Sequence, residues 1–300
     1  MVELCAAFMR HAKEYYKRPD GDPTGEAANY GTLIGRLKVT YGRTRAVDFG
    51  PLSLKAVRQQ LIDGDMARKT VNQAVNRIRH IFKWGVENEL LPSSVLHGLQ
   101  AVSGLRYGRS GARETEPVKP VPDAFVDAVL PHVSPTVAAM IQLQRVTGMR
   151  SGEVTALRGC DINTAGKVWV YEPKLHKTAW RGHQRHVFLG PRAQRIINPF
   201  FKADTGACLF SPAESLLRIH EVRHAKRVIR LDRGNRPGSN RVRRPKRAAG
   251  DAYNTHSYCR AVTYGIQAAN RARLAEAKAK GVDADKVELI PHWHPHQLRS

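Results

Sequence analysis

The sequence predicts an α+β fold that is mostly α-helical, with two domains and one small antiparallel sheet. Three observations support this prediction. Apolar residues recur at helical spacing through most of the first hundred positions. A segment rich in glycine, proline and charge follows at 104–122, and beyond it two short stretches alternate β-branched or aromatic residues with polar ones. A chain of 300 residues that is 42% hydrophobic can form two domains, each with its own core.

Residues 1–104 are predicted to form an all-helical first domain. Candidate helices run from Leu4 to Tyr16, from Ala27 to Tyr41, from about Ser53, and from Thr70 to about Asn88. Ser53 and Thr70 are the expected N-caps of the last two, because a hydroxyl can accept from a free backbone N–H of the first turn. The last helix is the clearest, since its apolar residues repeat every three or four positions up to a stop at Pro92.

Residues 105–122 are predicted to be a linker, and residues 123–300 a second domain of mixed structure. In this domain Lys167–Tyr171 and Arg185–Leu189 are expected to pair as a β-hairpin with a polar, basic tip. A basic insertion is expected at about 212–255. The helix candidates are Ala124–Leu130, Thr136–Thr147, Ala193–Phe201 and Ala268–Lys280.

The charge of the chain points to a polyanionic partner. The net charge is +23, of which residues 1–105 contribute +5 and residues 106–300 contribute +18. Such an excess favours nucleic acid over ordinary solubility charge. The four cysteines are far apart, which is typical of reduced thiols rather than of a disulfide framework. No apolar run is long enough to span a bilayer and no signal-peptide pattern is present, so we expect a cytoplasmic, nucleoid-associated protein without a membrane partner.

Three basic groups are candidates for contacts with the DNA backbone, although each also has a structural interpretation. The first lies on the exposed face of the fourth predicted helix, the second in the linker, and the third in the segment 223–247, which holds eleven Lys or Arg and one acid. That segment is either a solvated, partly disordered insertion or an arm that orders on DNA. The named candidates are Arg77, Arg79, Lys83, Arg106, Arg109, Arg243 and Arg244.

The stretch Val146–Arg158 has a pattern suited to anion binding. An apolar helix is expected to end at Gly148 and a new one to begin near Ser151 or Gly152. Arg150 then lies at a helix N-terminus, where backbone N–H groups add donors for an anion. Glu153 can reach back to orient the guanidinium. Taken alone, an arginine at a helix start is more often a surface ion-pair residue than a phosphate ligand.

The last residues, His294-Pro-His296-Gln-Leu-Arg299, place two histidines and an arginine together. Alternation of His292, His294 and His296 in an extended segment could bring three imidazoles to one side as metal ligands. Pro295 interrupts that alternation, however, and no cysteine or acid lies close by, so we expect no metal and no other cofactor.

These motifs resemble those of the tyrosine recombinase (phage integrase) family. The stretch from Thr147 to Leu157 is similar to its first arginine motif, T-G-M-R-x-G-E-x-x-x-L, with Arg150 and Glu153 at the functional positions. Lys177-Thr178 ahead of Arg185-His-Val-Phe-Leu189 is similar to its hairpin lysine pattern, with Lys174 as a nearby alternative. His296-Gln-Leu-Arg299 resembles its H-x-L-R box. Thr70–Pro92 resembles the last helices of its SAM-like core-binding domain.

The resemblance implies a fold, a reaction and a partner. Residues 1–104 would be the SAM-like core-binding domain and residues 123–300 the catalytic domain, and the two would close around duplex DNA. Arg150 and Arg299 would clamp a scissile phosphate, His296 would assist proton transfer, and Lys177 would serve as the general acid. The reaction, DNA recombination or integration as in mobile elements, passes through a 3′-phosphotyrosyl intermediate. Four copies would act on two duplexes.

The resemblance also implies that the nucleophile is missing. In the family this tyrosine lies some tens of residues beyond the second arginine, whereas all nine tyrosines here precede that motif. We therefore expect these 300 residues to be truncated, inactive, and less stable than a full-length form. The alternatives are a non-enzymatic DNA-binding remnant of an integrase and, less well supported, a type IB topoisomerase, which shares the same side-chain chemistry.

Overall fold

The computed structural model describes residues 1–17, 21–174, 183–228, 230 and 248–299. The chain divides into two compact units, Met1–Pro117 and Val118–Ser300, and the division falls within the predicted linker. The assignment of DNA-binding and catalytic roles to the two domains stays a prediction. Within the described ranges, the helices and strands confirm the predicted α+β class with mostly α-helix.

In the described part of the first unit, the main elements are α-helices, as predicted. They are α1 (Val2–Tyr15), α2 (Glu26–Tyr41), α3 (Pro51–Asp63), α4 (Arg68–Glu87) and α5 (Ser93–Gln100). The apolar face of α4 is buried against the other helices, with Ile78, Ile81 and Phe82 fully enclosed. The unit therefore has its own core, as the helical spacing requires.

Both expected N-caps in this unit are wrong. Ser53 lies inside α3, because Gly50 is extended and Pro51, whose fixed φ suits the first helical position, begins the helix. Thr70 lies inside α4, which begins at Arg68, where the backbone N–H bonds to the carbonyl of Arg113. Pro92 does not end α4; it immediately precedes α5, which was not predicted.

The first part of the predicted linker is tied to the first unit. Leu105 exchanges two hydrogen bonds with the side chain of Asn72, at 2.8 and 3.0 Å. Arg68 forms an ion pair with Glu114 at 2.5 Å. Residues 105–114 are thus held by specific polar contacts within this unit, and the composition alone did not predict them.

The second unit places helices around a three-stranded antiparallel sheet in the order β1-β2-β3. Trp169 pairs with Leu189 and Tyr171 with Val187, which confirms the predicted hairpin. Strand β1 was not predicted. The elements are α6 (Asp123–Val129), α7 (Pro135–Thr147), α8 (Ser151–Thr155), β1 (Ile162–Asn163), β2 (Trp169–Tyr171), β3 (Val187–Leu189), α9 (Pro191–Ile197), α10 (Pro212–Ala225) and α11 (Thr255–Ala279).

Two further boundaries in this unit differ from the sequence prediction. The predicted basic insertion at about 212–255 begins with a regular helix, α10, whose first turn is capped by the hydroxyl of Ser211. Helix α11 begins at Thr255, well before the predicted Ala268, because Asn254 caps it. No helix within the described ranges is both long and apolar enough to cross a membrane.

Candidate active site

The site is built on the turn between α7 and α8. Gly148 ends α7 in the left-handed conformation, with φ of +63°, and its N–H donates to the carbonyl of Gln144 at 2.9 Å. Met149 is fully buried and anchors the turn in the core. The chain therefore leaves the core at Arg150, the residue before the first turn of α8. The predicted helix end at Gly148 and the start near Ser151 are both confirmed.

Glu153 holds Arg150 in place from inside the protein. Its carboxylate is only 3% exposed. One oxygen accepts from the backbone N–H of Arg150 at 2.8 Å, and the other accepts from the Arg150 guanidinium at 2.8 Å. The expectation that Glu153 reaches back to orient Arg150 is met by this geometry. Because Arg150 is 37% exposed, part of its guanidinium still faces outward.

A second guanidinium, that of Arg185, completes the shell around Glu153. Its Nε and Nη2 approach the two carboxylate oxygens at 3.3 and 3.4 Å. Burial tends to raise the pKa of the Glu153 carboxyl, but hydrogen bonds from Arg150 and Arg185 together hold this pKa below its ordinary value. Glu153 is therefore a carboxylate at neutral pH.

Arg185 is a candidate that the sequence alone does not reveal. It belongs to the hairpin pattern Arg185–Leu189, and its position just before β3 is the signal that could identify it. On β2, the buried hydroxyl of Tyr171 donates to the carbonyl of Glu153 at 3.0 Å. Burial raises the pKa of this tyrosine, so it stays protonated and keeps that hydrogen bond.

Arg299 reaches the same turn from the opposite end of the unit's sequence. Its Nε donates to the carbonyl of Gly148 at 2.9 Å. A short 3₁₀ helix, Pro295–Leu298, precedes it, and Pro295 and Leu298 are buried in the core. The fully buried amide of Gln144 donates to the carbonyl of Pro295 at 2.7 Å. Arg150 and Arg299 are thus attached to one turn, residues 148–150, although 149 positions separate them in the sequence.

Both guanidinium groups have donors to spare. Within the described part of the chain, Arg150 uses its side chain only on Glu153, and Arg299 uses its side chain only on Gly148. An arginine carries five N–H donors in a planar fork that matches two oxygens of a phosphate. Two guanidinium groups with unused donors are therefore attached to one turn.

His296 is exposed on the same 3₁₀ helix, with its ring centroid 6.4 Å from that of His294. Among the described residues, no group of three His, Cys, Asp or Glu side chains is placed to hold a metal ion. The metal hypothesis for His292, His294 and His296 therefore gains no support from the geometry.

Several predicted functional residues cannot be placed. Lys177, Arg243 and Arg244 lie outside the described residues. The alternative lysine, Lys174, forms an ion pair with the buried carboxylate of Asp161 at 3.1 Å. Its side chain is 72% exposed and an ammonium has three donors, so its role as the alternative general acid stays a prediction.

Comparison with solved structures identifies the fold. An integrase of the transposon Tn1549, in complex with circular intermediate DNA, matches with a TM-score of 0.56 at 14% identity, over 99% of this chain and 83% of that chain. A λ integrase dimer bound to a COC′ core site matches with a TM-score of 0.58 at 11% identity, over 100% of this chain and 83% of that chain. The chain has the integrase fold. No protein-family model and no curated protein matches the sequence.

The tyrosines of the second unit differ in exposure and in their hydrogen bonds. Tyr171 and Tyr258 are buried, and Tyr253 packs against the core. Tyr264 is exposed, and its hydroxyl accepts from Arg260 at 2.6 Å. Among the described residues, none of these hydroxyls is hydrogen-bonded to Arg150, His296 or Arg299.

The DNA-binding candidates of the first unit differ in exposure and in their partners within the protein. Arg77 pairs with Glu26 at 3.0 Å and lies over the ring of Tyr30. The guanidinium of Arg79 donates to the carbonyls of Leu99 and Val102.

Lys83 is exposed and pairs with Glu87 at 3.3 Å. Arg106 and Arg109 are also exposed, at the start of the predicted linker. A role of these residues in DNA binding stays a prediction.

Proposed function

We propose that this chain is a site-specific DNA recombinase or integrase of the tyrosine recombinase family, and that it binds duplex DNA with one phosphate between Arg150 and Arg299. The observation that carries the proposal is the attachment of both guanidinium groups to the turn at 148–150, each with donors left over. The sequence motifs and the integrase fold support the same function. The solved neighbours are integrases bound to DNA, and a net charge of +23 suits the same partner.

The proposed chemistry follows from charge. Attack on a phosphodiester builds negative charge on the two non-bridging oxygens, and two fixed guanidinium groups stabilise that charge without reorganisation. His296, exposed beside Arg299, donates a hydrogen bond to the same phosphate or moves a proton. Lys177 is the proposed acid for the leaving 5′-oxygen, because a desolvated ammonium beside phosphate can give up a proton. Cleavage and rejoining then proceed through a 3′-phosphotyrosyl link, which stores the energy of the broken bond. Four copies would act together on two duplexes.

Binding to DNA tests the central part of this proposal. Arg150→Lys keeps the charge but removes the planar fork, so we expect roughly tenfold weaker binding to a mixed-sequence duplex at low salt. The matched control is Arg195→Lys, an exposed arginine on α9, which should bind like the unaltered chain. Fluorescence anisotropy of labelled duplex measures both. Equal affinity of the two variants would contradict the proposed phosphate site.

A non-enzymatic DNA-binding function is the second candidate, and the tyrosines favour it for these 300 residues. No described tyrosine hydroxyl of the second unit is hydrogen-bonded to Arg150, His296 or Arg299, and under this second function residues 1–300 bind DNA without cleaving it. Incubation with nicked suicide duplexes, followed by denaturing electrophoresis, should give no covalent protein–DNA adduct. An adduct that disappears in Tyr264→Phe, the exposed tyrosine, would contradict this and identify the nucleophile.

A further inference from the structure

Arg185 links the sheet to the phosphate-binding turn through a single buried carboxylate. It lies just before β3, 32 positions after Glu153, yet both of its contacting nitrogens approach the Glu153 oxygens. Arg150 uses the same two oxygens, through its N–H and its guanidinium. Each oxygen therefore accepts one hydrogen bond from each arginine.

This arrangement makes the position of Arg150 depend on Arg185. A buried carboxylate needs opposite charge and hydrogen bonds to stay ionised. With Arg185 removed, one guanidinium and one N–H would remain for an almost fully enclosed group. The pKa of the carboxyl would then rise, and in its neutral form the group would hold Arg150 without the attraction between opposite charges. The Arg150 side chain is already 37% exposed, and its guanidinium would lose its fixed direction.

The surroundings of Arg185 also distinguish it from an ordinary surface ion pair. Its side chain is 32% exposed, and its partner is 3% exposed. On the neighbouring strand, the Tyr171 hydroxyl binds the backbone carbonyl of the same glutamate. Arg185 and Tyr171 thus bind Glu153, in the first turn of α8, at its side chain and at its backbone respectively.

We propose, building on the phosphate-binding function above, that Arg185 is a positioning residue that fixes the Glu153 carboxylate and, through it, the Arg150 guanidinium against a DNA phosphate. Arg185 need not touch the DNA for this role. Its effect is transmitted by the charge and geometry of Glu153, so it should alter how the site responds to pH, which a merely structural arginine would not do.

The charged and titratable groups around Glu153 come from three elements. Arg150 precedes α8, Arg185 precedes β3, and Tyr171 belongs to β2. Asp161 and Arg158 act on Tyr171 from the segment before β1. Asp161 is paired with Lys174. The Tyr171 hydroxyl stays protonated at neutral pH, which leaves Glu153 as the group of this cluster whose charge Arg185 controls directly.

The test follows the Glu153 carboxyl itself. Carbon-13 labelling of the glutamate carboxyls in the 300-residue chain, with Glu153→Gln to identify the signal, gives its titration midpoint by NMR. The midpoint should rise in Arg185→Gln. It should not move in the control Arg192→Gln, which removes an equal charge from an exposed arginine on α9. An unchanged midpoint in Arg185→Gln would overturn the proposal.

Binding of a mixed-sequence duplex supplies the second readout. Arg185→Gln should bind roughly tenfold more weakly than Arg192→Gln near pH 5, and the gap should narrow near pH 8, where Glu153 is again ionised. An equal loss in the two variants at both pH values would overturn the positioning role.

Two further outcomes keep the test decisive. If Arg185→Gln does not fold, Arg185→Lys takes its place. An ammonium cannot match both carboxylate oxygens, so the midpoint must still exceed that of the unaltered chain, and an unchanged midpoint overturns the proposal. If the proposed function is wrong, Arg150→Lys will bind DNA like the unaltered chain, while the Glu153 midpoint will still rise in Arg185→Gln. That pair of results would exclude the phosphate-binding role but support the positioning of Glu153 and Arg150 by Arg185.

Discussion

The arginines on α4 of the first unit differ from those at the 148–150 turn of the second unit in how their guanidinium groups are hydrogen-bonded. The guanidinium of Arg79 is directed inward, onto the carbonyls of Leu99, in the last turn of α5, and of Val102, just after it. Arg77 is paired with Glu26. Arg150 and Arg299 are each anchored on one side and open on the other. An arginine is therefore available to a phosphate only where its own partners leave some of its N–H donors unused.

The largest effect is expected from Glu153→Ala. Removing this buried carboxylate leaves two partly exposed arginines without their shared counter-charge, together with an unpaired N–H of Arg150. Breaking a buried ion pair in this way costs about 3–5 kcal/mol in the free energy of unfolding. Urea unfolding followed by circular dichroism measures it. A loss below about 1 kcal/mol, as for a surface ion pair, would break the contrast between the two regions.

Acid should weaken the second unit through the same residue. The pKa of Glu153 in the folded chain lies below its unfolded value of about 4.3, so its stabilising contribution is complete above that value and is lost as the pH falls through the folded pKa. Glu153→Gln should therefore show a smaller loss of stability between neutral pH and about pH 3 than the unaltered chain does. Parallel acid profiles of the two would contradict this.

A smaller effect on stability is expected from Arg79→Ala. Its guanidinium donates to the backbone carbonyls of Leu99, in the last turn of α5, and Val102, just after it, and both would be left without these donors. We expect a loss of about 2 kcal/mol in the free energy of unfolding, with a change in DNA affinity no larger than that of any single lost surface cation. A large loss of affinity with unchanged stability would instead support the DNA-binding role predicted from the sequence.

The smallest effect on stability is expected from Lys83→Ala. Its pair with Glu87 is exposed, so removal should change the free energy of unfolding by no more than about 0.5 kcal/mol. If Lys83 contacts a DNA phosphate, the slope of binding affinity against salt concentration should fall by about one ion in this variant. An unaltered slope would remove Lys83 from the DNA-binding surface.

The parts of the fold that could be predicted from sequence are those set by local spacing. The apolar repeat of α4, the helix end at Gly148 and the alternating strands of the hairpin all depend on neighbouring residues. The N-caps at Ser53 and Thr70 failed because side-chain preference competed with Pro51 in one case and with a backbone contact to Arg113 in the other. Strand β1 has only two residues, too few to produce a pattern.

In the site too, contacts between residues close in sequence could be predicted, and contacts between distant residues could not. Arg150 and Glu153 could be linked from the sequence because they are three positions apart and share one helix start. The contacts of Arg185 and Arg299 depend on packing between residues 32 and 151 positions apart, and no local pattern reports such contacts. Only the resemblance to a family brought Arg299 into the site in advance.

A double-mutant cycle on DNA binding tests the central claim most directly. Arg150→Gln, Arg299→Gln and the double variant are compared with the unaltered chain, by anisotropy with one mixed-sequence duplex at fixed salt. If both arginines hold one phosphate, the second substitution should cost much less after the first, with a coupling of about 1–2 kcal/mol. Strictly additive losses would mean that the two arginines bind DNA independently, and the claim of a single phosphate site at the 148–150 turn would be wrong.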